Sequence, residues 1–116
     1  MKLIVATSGA YGLDARNELE TAYSSMICMW PEPISEVLLA EDPLGEQFAN
    51  DHSFPIMQFP ADWKRYRLGA GMIRNKKIVN EADILLALWD GKHRNTQMII
   101  QRMRLLRKPY FVWEIS

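Results

Sequence analysis

Apolar residues fall along this chain in short continuous runs, separated by segments where they recur every three or four positions. Lys2–Thr7 is an apolar run with β-branched residues, followed at once by Ser8-Gly9-Ala10-Tyr11-Gly12. That pattern predicts a buried strand feeding a small-residue turn. From about Leu13 to Met29, Leu13, Leu19, Ala22 and Met26 stand at helical intervals, and Pro31 and Pro33 stop the helix. Glu36–Ala40 reads as a second buried strand. Asp42 then caps a helix with Pro43 at its first position and Leu44, Phe48 and Ala49 on its inner face. Phe54–Phe59 is a third, short strand ending at Pro60, and a helix from Gly69 or Ala70 to Asn80 turns Ile73, Ile78 and Val79 inward. Asp83–Trp89 is the clearest strand, because Ile84-Leu85-Leu86-Ala87-Leu88 implies burial on both faces, as in the middle of a parallel sheet. A last helix runs from about Asn95 to Arg107 with Met98, Ile99, Met103 and Leu106 as core contacts; Pro109 breaks it before a strand at Tyr110–Trp113.

Strands alternating with helices predict a Rossmann-like three-layer α/β/α fold with a parallel sheet of about five strands and right-handed crossovers. Residues 1–116 make one domain of ordinary size. In such folds ligands sit beyond the carboxyl ends of the strands, near the reversal of strand order. That rule selects the loops after Thr7, Ala40, Phe59 and Trp89.

Composition narrows the class. Hydrophobic residues are 48% and charged residues 24% of the chain, an ordinary globular balance. The apolar start is too short for a signal peptide, and no segment approaches the roughly 20 apolar residues of a membrane span. Cys28 is the only cysteine, which leaves neither a disulfide framework nor a thiolate metal site. His52 and His93 lack partners at ligand spacing, so no metal or cofactor is expected. A soluble, cytoplasmic protein without membrane contact is the simplest expectation.

Charge sums to zero but is unevenly placed. Asp14–Asp51 is mostly acidic, whereas every charged residue from Lys64 to Lys77 is positive: Lys64, Arg65, Arg67, Arg74, Lys76 and Lys77. Cations clustered near a helix start suit a phosphate or another anion. The neutral total fits a small anionic ligand better than duplex nucleic acid.

Three motifs in the second half carry a resemblance: F-P-A-D-W-K-R-Y at 59–66, G-A-G-M-I-R-N at 69–75, and A-D-I-L-L-A-L-W-D-G at 82–91. Together they closely resemble the YspA-like branch of the SLOG superfamily, the Rossmann-like group that includes the Smf/DprA and LOG proteins. In the first half, Thr7-Ser8-Gly9 stands where that family has a T-G-S type turn. The resemblance implies a single SLOG-like domain that binds a nucleotide or nucleotide-derived ligand. Some distant members cleave the N-glycosidic bond of nucleoside monophosphates, and DprA relatives bind single strands. Two departures stand out. A glycine-rich loop of the relatives is replaced by Leu38-Leu39-Ala40-Glu41-Asp42-Pro43, and Arg94-Asn95-Thr96 stands where a G-T pair is expected.

The implied pocket lies between Ser8-Gly9, the loop from Pro60 through Asp62 to Trp63, Arg74-Asn75, and the stretch Asp90-Gly91 to Asn95-Thr96. Arg74 can pair bidentately with a phosphate and Asn75 can read a base or ribose edge; otherwise they are a surface arginine and a capping amide. Trp63 or Tyr66 either stacks on a base or anchors packing. Ser8 and Gly9 offer a hydroxyl and close backbone approach, or a plain turn. Asn95 and Thr96 either cap the last helix or contact phosphate. Asp90, after the central strand, either holds a ribose hydroxyl or water or shapes a turn. Asp42, beside Glu41, is either a carboxylate near a sugar or the cap of a helix.

The leading expectation is a nucleotide sensor or sequestering protein in a bacterial or phage setting, forming a homodimer or higher oligomer. The alternatives are a nucleotide N-glycosidase with Asp90 and Asp42 as catalytic carboxylates, and single-stranded nucleic-acid binding through the basic run. The missing glycine loop counts against the first alternative.

Overall fold

A computed structural model describes residues 1–115. Strands β1 (Lys2–Ala6), β2 (Glu36–Leu39), β3 (Ile56–Gln58), β4 (Ile84–Trp89) and β5 (Tyr110–Glu114) alternate with helices. The helices are α1 (Leu13–Met29), α2 (Pro43–Asp51), α3 (Trp63–Tyr66), α4 (Ala70–Glu81) and α5 (Arg94–Leu105). One sheet in the order β3-β2-β1-β4-β5 holds all five strands. Every neighbouring pair is parallel, with Leu3 opposite Val37 on one side and Ile84 on the other. This is the Rossmann-like three-layer α/β/α fold that the alternation of elements predicts.

Period two along the central strands explains the layers. Leu3, Val5, Leu86 and Leu88 point to one face, where Leu19, Ala22 and Met26 of α1 and Leu44 and Phe48 of α2 cover them. Ile4, Ala6, Leu85 and Ala87 point to the other face, against Ile78 and Val79 of α4 and Ile99 and Met103 of α5. Burial of each large aliphatic side chain contributes about 1.5–3 kcal/mol, so stability is concentrated under the sheet centre. The strand ends are thereby left to carry other work. Lys108 adds a polar tie: its ammonium donates to the carbonyls of Val79, Asn80 and Ala82 at 2.8, 3.1 and 2.8 Å. The end of α4 leaves the Asn80 and Ala82 carbonyls without helical partners, and Val79 O otherwise accepts only the Ala82 N–H, at 3.3 Å.

Two expected core contacts are corrected. Leu13 is 68% exposed, because at about 100° per residue it stands roughly 120° around the helix from Leu19. Ala15 packs there instead. Leu106 is 38% exposed, because α5 ends at Leu105 and Arg107 takes a left-handed turn with φ 55. Ile100 supplies the missing burial. The aromatic loop before α4 also contains a short helix, α3, which Asp62 caps by accepting the Arg65 N–H at 3.1 Å. A 3-10 turn at Arg67–Gly69 then leads into α4.

Candidate functional site

The chain runs outward from β1 to β2 and β3 on one side, and β4 and β5 lie on the other. Connections therefore diverge beyond the carboxyl ends of β1 and β4 and open a crevice there. Beyond β1 the chain turns at once, with Ala10 N–H donating to Thr7 O at 2.9 Å. The two central residues, Ser8 and Gly9, have φ of 56 and 71, the signs of a type I′ turn. Glycine takes that conformation freely, whereas Ser8 is strained by roughly 1 kcal/mol.

Asp42 fixes this turn to the neighbouring strand. Its carboxylate accepts Thr7 N–H at 2.7 Å, Thr7 Oγ1–H at 2.6 Å and Gly45 N–H at 2.8 Å. The first two hold the end of β1, and the third caps α2. On the other side Ser8 Oγ donates to Leu88 O at 2.7 Å and lies 3.1 Å from Thr96 Oγ1. Thr96 N–H in turn donates to His93 Nδ1 at 3.3 Å, capping α5. With Nδ1 accepting, the ring proton sits on Nε2.

Inside this frame lies a cavity of about 270 Å³. Ser8 and Gly9 from the first turn, Glu41 and Asp42 from the second, Trp63 from α3, Arg74 from α4, and His93, Asn95 and Thr96 from the start of α5 line it. Trp63 is 56% exposed, so its ring stands at the mouth. Arg74 is the only cation of the basic run on this lining. It also lines an adjoining cavity of about 230 Å³ together with Asp62, Tyr66 and Lys77.

Asn75 and Asn95 hold Arg74 in place. Arg74 Nε donates to Asn75 Oδ1 at 2.8 Å and Nη2 to Asn95 Oδ1 at 3.2 Å, while Asn75 Nδ2 donates to the same Asn95 oxygen at 2.8 Å. Asn75 is 3% exposed, so it braces the guanidinium from behind instead of lining the cavity. These contacts occupy two of the five N–H donors of an arginine. Desolvation lowers the Arg74 pKa, and the nearby Glu41 charge opposes that shift. The guanidinium stays charged across the ordinary pH range.

The remaining candidates stand apart. Asp90 is exposed and Gly91, with φ 79, shapes the turn beside it; neither lines the cavity. Asp90 Oδ1 accepts the amides of Lys92 and His93 at 2.8 and 2.7 Å, bonds that hold its carboxyl below the usual aspartate range. Asp62 caps α3 and faces the adjoining cavity. His93 and Glu41 enter the site by backbone placement. The signal for His93 lies in its position immediately before Arg94, the first residue of α5, and a helix predicted from Asn95 places it in the preceding turn.

A larger depression of about 1040 Å³ runs between α1 and β5, but Asp14, Glu18 and Glu114 make its charged lining acidic. It suits an anion poorly. Among the described residues no group of three or more His, Cys, Asp or Glu is placed to hold a metal ion. No helix there is long and apolar enough to cross a membrane. Comparison with family models, curated proteins and solved structures finds no match.

Proposed function

We propose that this chain binds a nucleotide or nucleotide-derived ligand at the carboxyl edge of its sheet and acts as a sensor or sequestering protein. The observation that carries the reading is the amide-braced Arg74 guanidinium on the wall of a strand-end cavity at the reversal of strand order. A guanidinium with free donors pairs bidentately with phosphate. The Trp63 ring at the mouth offers a stacking surface for a base. The resemblance to the YspA-like branch of the SLOG superfamily supports the same ligand class.

Binding without chemistry is favoured over N-glycosidic cleavage by the state of the two candidate carboxylates. Asp42 is committed to three donors of the frame, and Asp90 accepts two amides of its own turn outside the cavity lining. The first is held in the frame and the second lies away from the cavity, so neither is well placed to activate water at a sugar bound there. Titration calorimetry against nucleoside mono-, di- and triphosphates, cyclic nucleotides and ADP-ribose tests the reading. Binding of one class, with the ligand recovered intact by mass spectrometry, is expected; no heat from any of them at millimolar concentration overturns it.

A further inference from the structure

A groove of about 250 Å³ between α4 and α5 has Met72, Met98 and Leu105 as its apolar lining. Met72 is 53% and Leu105 68% exposed, and apolar side chains gathered on one surface mark a contact site. The charged lining residues are Lys76 and Arg102. Neither forms an ion pair among the described residues, and Arg102 Nε is buried there with no hydrogen-bond partner. A buried N–H without an acceptor is costly. The groove therefore suits an apolar side chain with a carboxylate beside it.

The start of α1 presents that combination. Leu13 projects from its first turn, unused by the core, and Tyr11 just before it is 89% exposed. Asp14 follows Leu13 directly, and Glu18 lies one turn further on the same stripe. No Lys or Arg pairs with either carboxylate among the described residues. The charge complementarity extends beyond these side chains: α1 and α2 carry acids and a single arginine, Arg16, whereas α4 and α5 carry cations and a single glutamate, Glu81. These helix pairs cover opposite faces of the sheet, so a chain cannot fill its own groove. We infer that the start of α1 of a second copy docks in the α4–α5 groove, with Leu13 against Met72, Met98 and Leu105 and Asp14 toward Lys76 and Arg102. Such a contact joins unlike surfaces and leaves one face of each copy free, so assembly continues past the dimer.

Sedimentation velocity of the whole chain, from about 10 µM to about 1 mM and at low and high NaCl, tests this. Association that grows with concentration, passes the dimer and weakens as salt screens the charges is expected. A monomer throughout, or a species that stops at the dimer, overturns the inference. Leu13→Asn removes the docking side chain, and Met72→Glu sets a carboxylate in the groove against Asp14. Both positions are exposed, and circular dichroism confirms that the variants fold. Each alone should associate at least about tenfold more weakly, the effect of losing one buried apolar side chain. Mixed in equal amounts they should form a 1:1 dimer and nothing larger, because each keeps one intact surface. Variants that associate as well as the unsubstituted chain, or a mixture that stays monomeric, overturn the inference.

Discussion

Replacing Asp42 with alanine removes three hydrogen bonds at once, from Thr7 N–H, Thr7 Oγ1–H and Gly45 N–H. Loss of the α2 cap alone costs about 1 kcal/mol. Thr7 is 1% exposed, so its amide and hydroxyl cannot turn to bulk water, and each orphaned donor costs about 1–3 kcal/mol. Asp42 itself is only half-buried, and water entering the gap recovers part of that cost. The lower end of the range is therefore appropriate, giving a destabilisation of about 3 kcal/mol against a usual total of roughly 5–15 kcal/mol. With a urea slope near 2 kcal/mol per molar, the unfolding midpoint falls by about 1.5 M. Far-UV circular dichroism in urea measures this directly. A cycle with Thr7→Val separates the hydroxyl, with a coupling to Asp42 of about 1–2 kcal/mol expected. A midpoint shift below about 0.5 M, or strict additivity with Thr7→Val, refutes the structural role assigned to Asp42.

Three further outcomes are expected. Gly45→Ala puts a Cβ 2.7 Å from Leu39 Cδ2 and 3.3 Å from Val5 Cγ1, both on fully packed side chains; overpacking of about 1–3 kcal/mol outweighs a helix-propensity gain near 1 kcal/mol. The urea midpoint should fall, and a rise contradicts the close approach of α2 to the sheet. Arg74→Lys keeps the charge but loses the bonds from Nε and Nη2 to the two asparagines, so calorimetry should show nucleotide affinity reduced at least about tenfold, with a stability loss of about 1 kcal/mol from the orphaned Asn75 oxygen. Unchanged affinity removes Arg74 from the site. Burial, reinforced by the Glu20 charge, raises the Tyr23 phenol pKa. That stability is present below the unfolded value of about 10 and is lost as pH rises through the higher folded value. Absorbance at 295 nm should therefore lose a component titrating above pH 10 in Tyr23→Phe; an unchanged upper limb contradicts the assignment.

Most of the fold is legible in the residues because burial is extreme where it matters. Leu3–Val5 and Leu85–Leu88 are apolar without interruption and are sealed on both faces, so no other placement than the sheet centre satisfies them. Legibility fails where an apolar residue lies at an element's end. Leu13 and Leu106 have the right chemistry but stand at a helix start and a helix C-cap, where phase and chain direction decide exposure. The short helix α3 is hidden for another reason. Trp63-Lys64-Arg65-Tyr66 has no apolar period, and only the cap geometry of Asp62 marks it.

The site is legible in a different way, through which loops meet rather than through what each side chain does. The strand-end rule brings Ser8, Gly9, Asp42, Trp63, Arg74, Asn95 and Thr96 around one cavity, yet it does not say which polar groups are already spent. The backbone settles that. Helix starts and tight turns expose amides, and the nearest short side chains answer them first: Asp42 for α2, Asp62 for α3, His93 for α5 and Asp90 for the turn after β4. What stays available is whatever the frame does not need. Five of the six cations between residues 64 and 77 lie outside the cavity, whereas Arg74 is braced by two amides with donors to spare. Charge density along the chain therefore overstates the candidate site, and unspent hydrogen-bonding capacity singles out Arg74 within it.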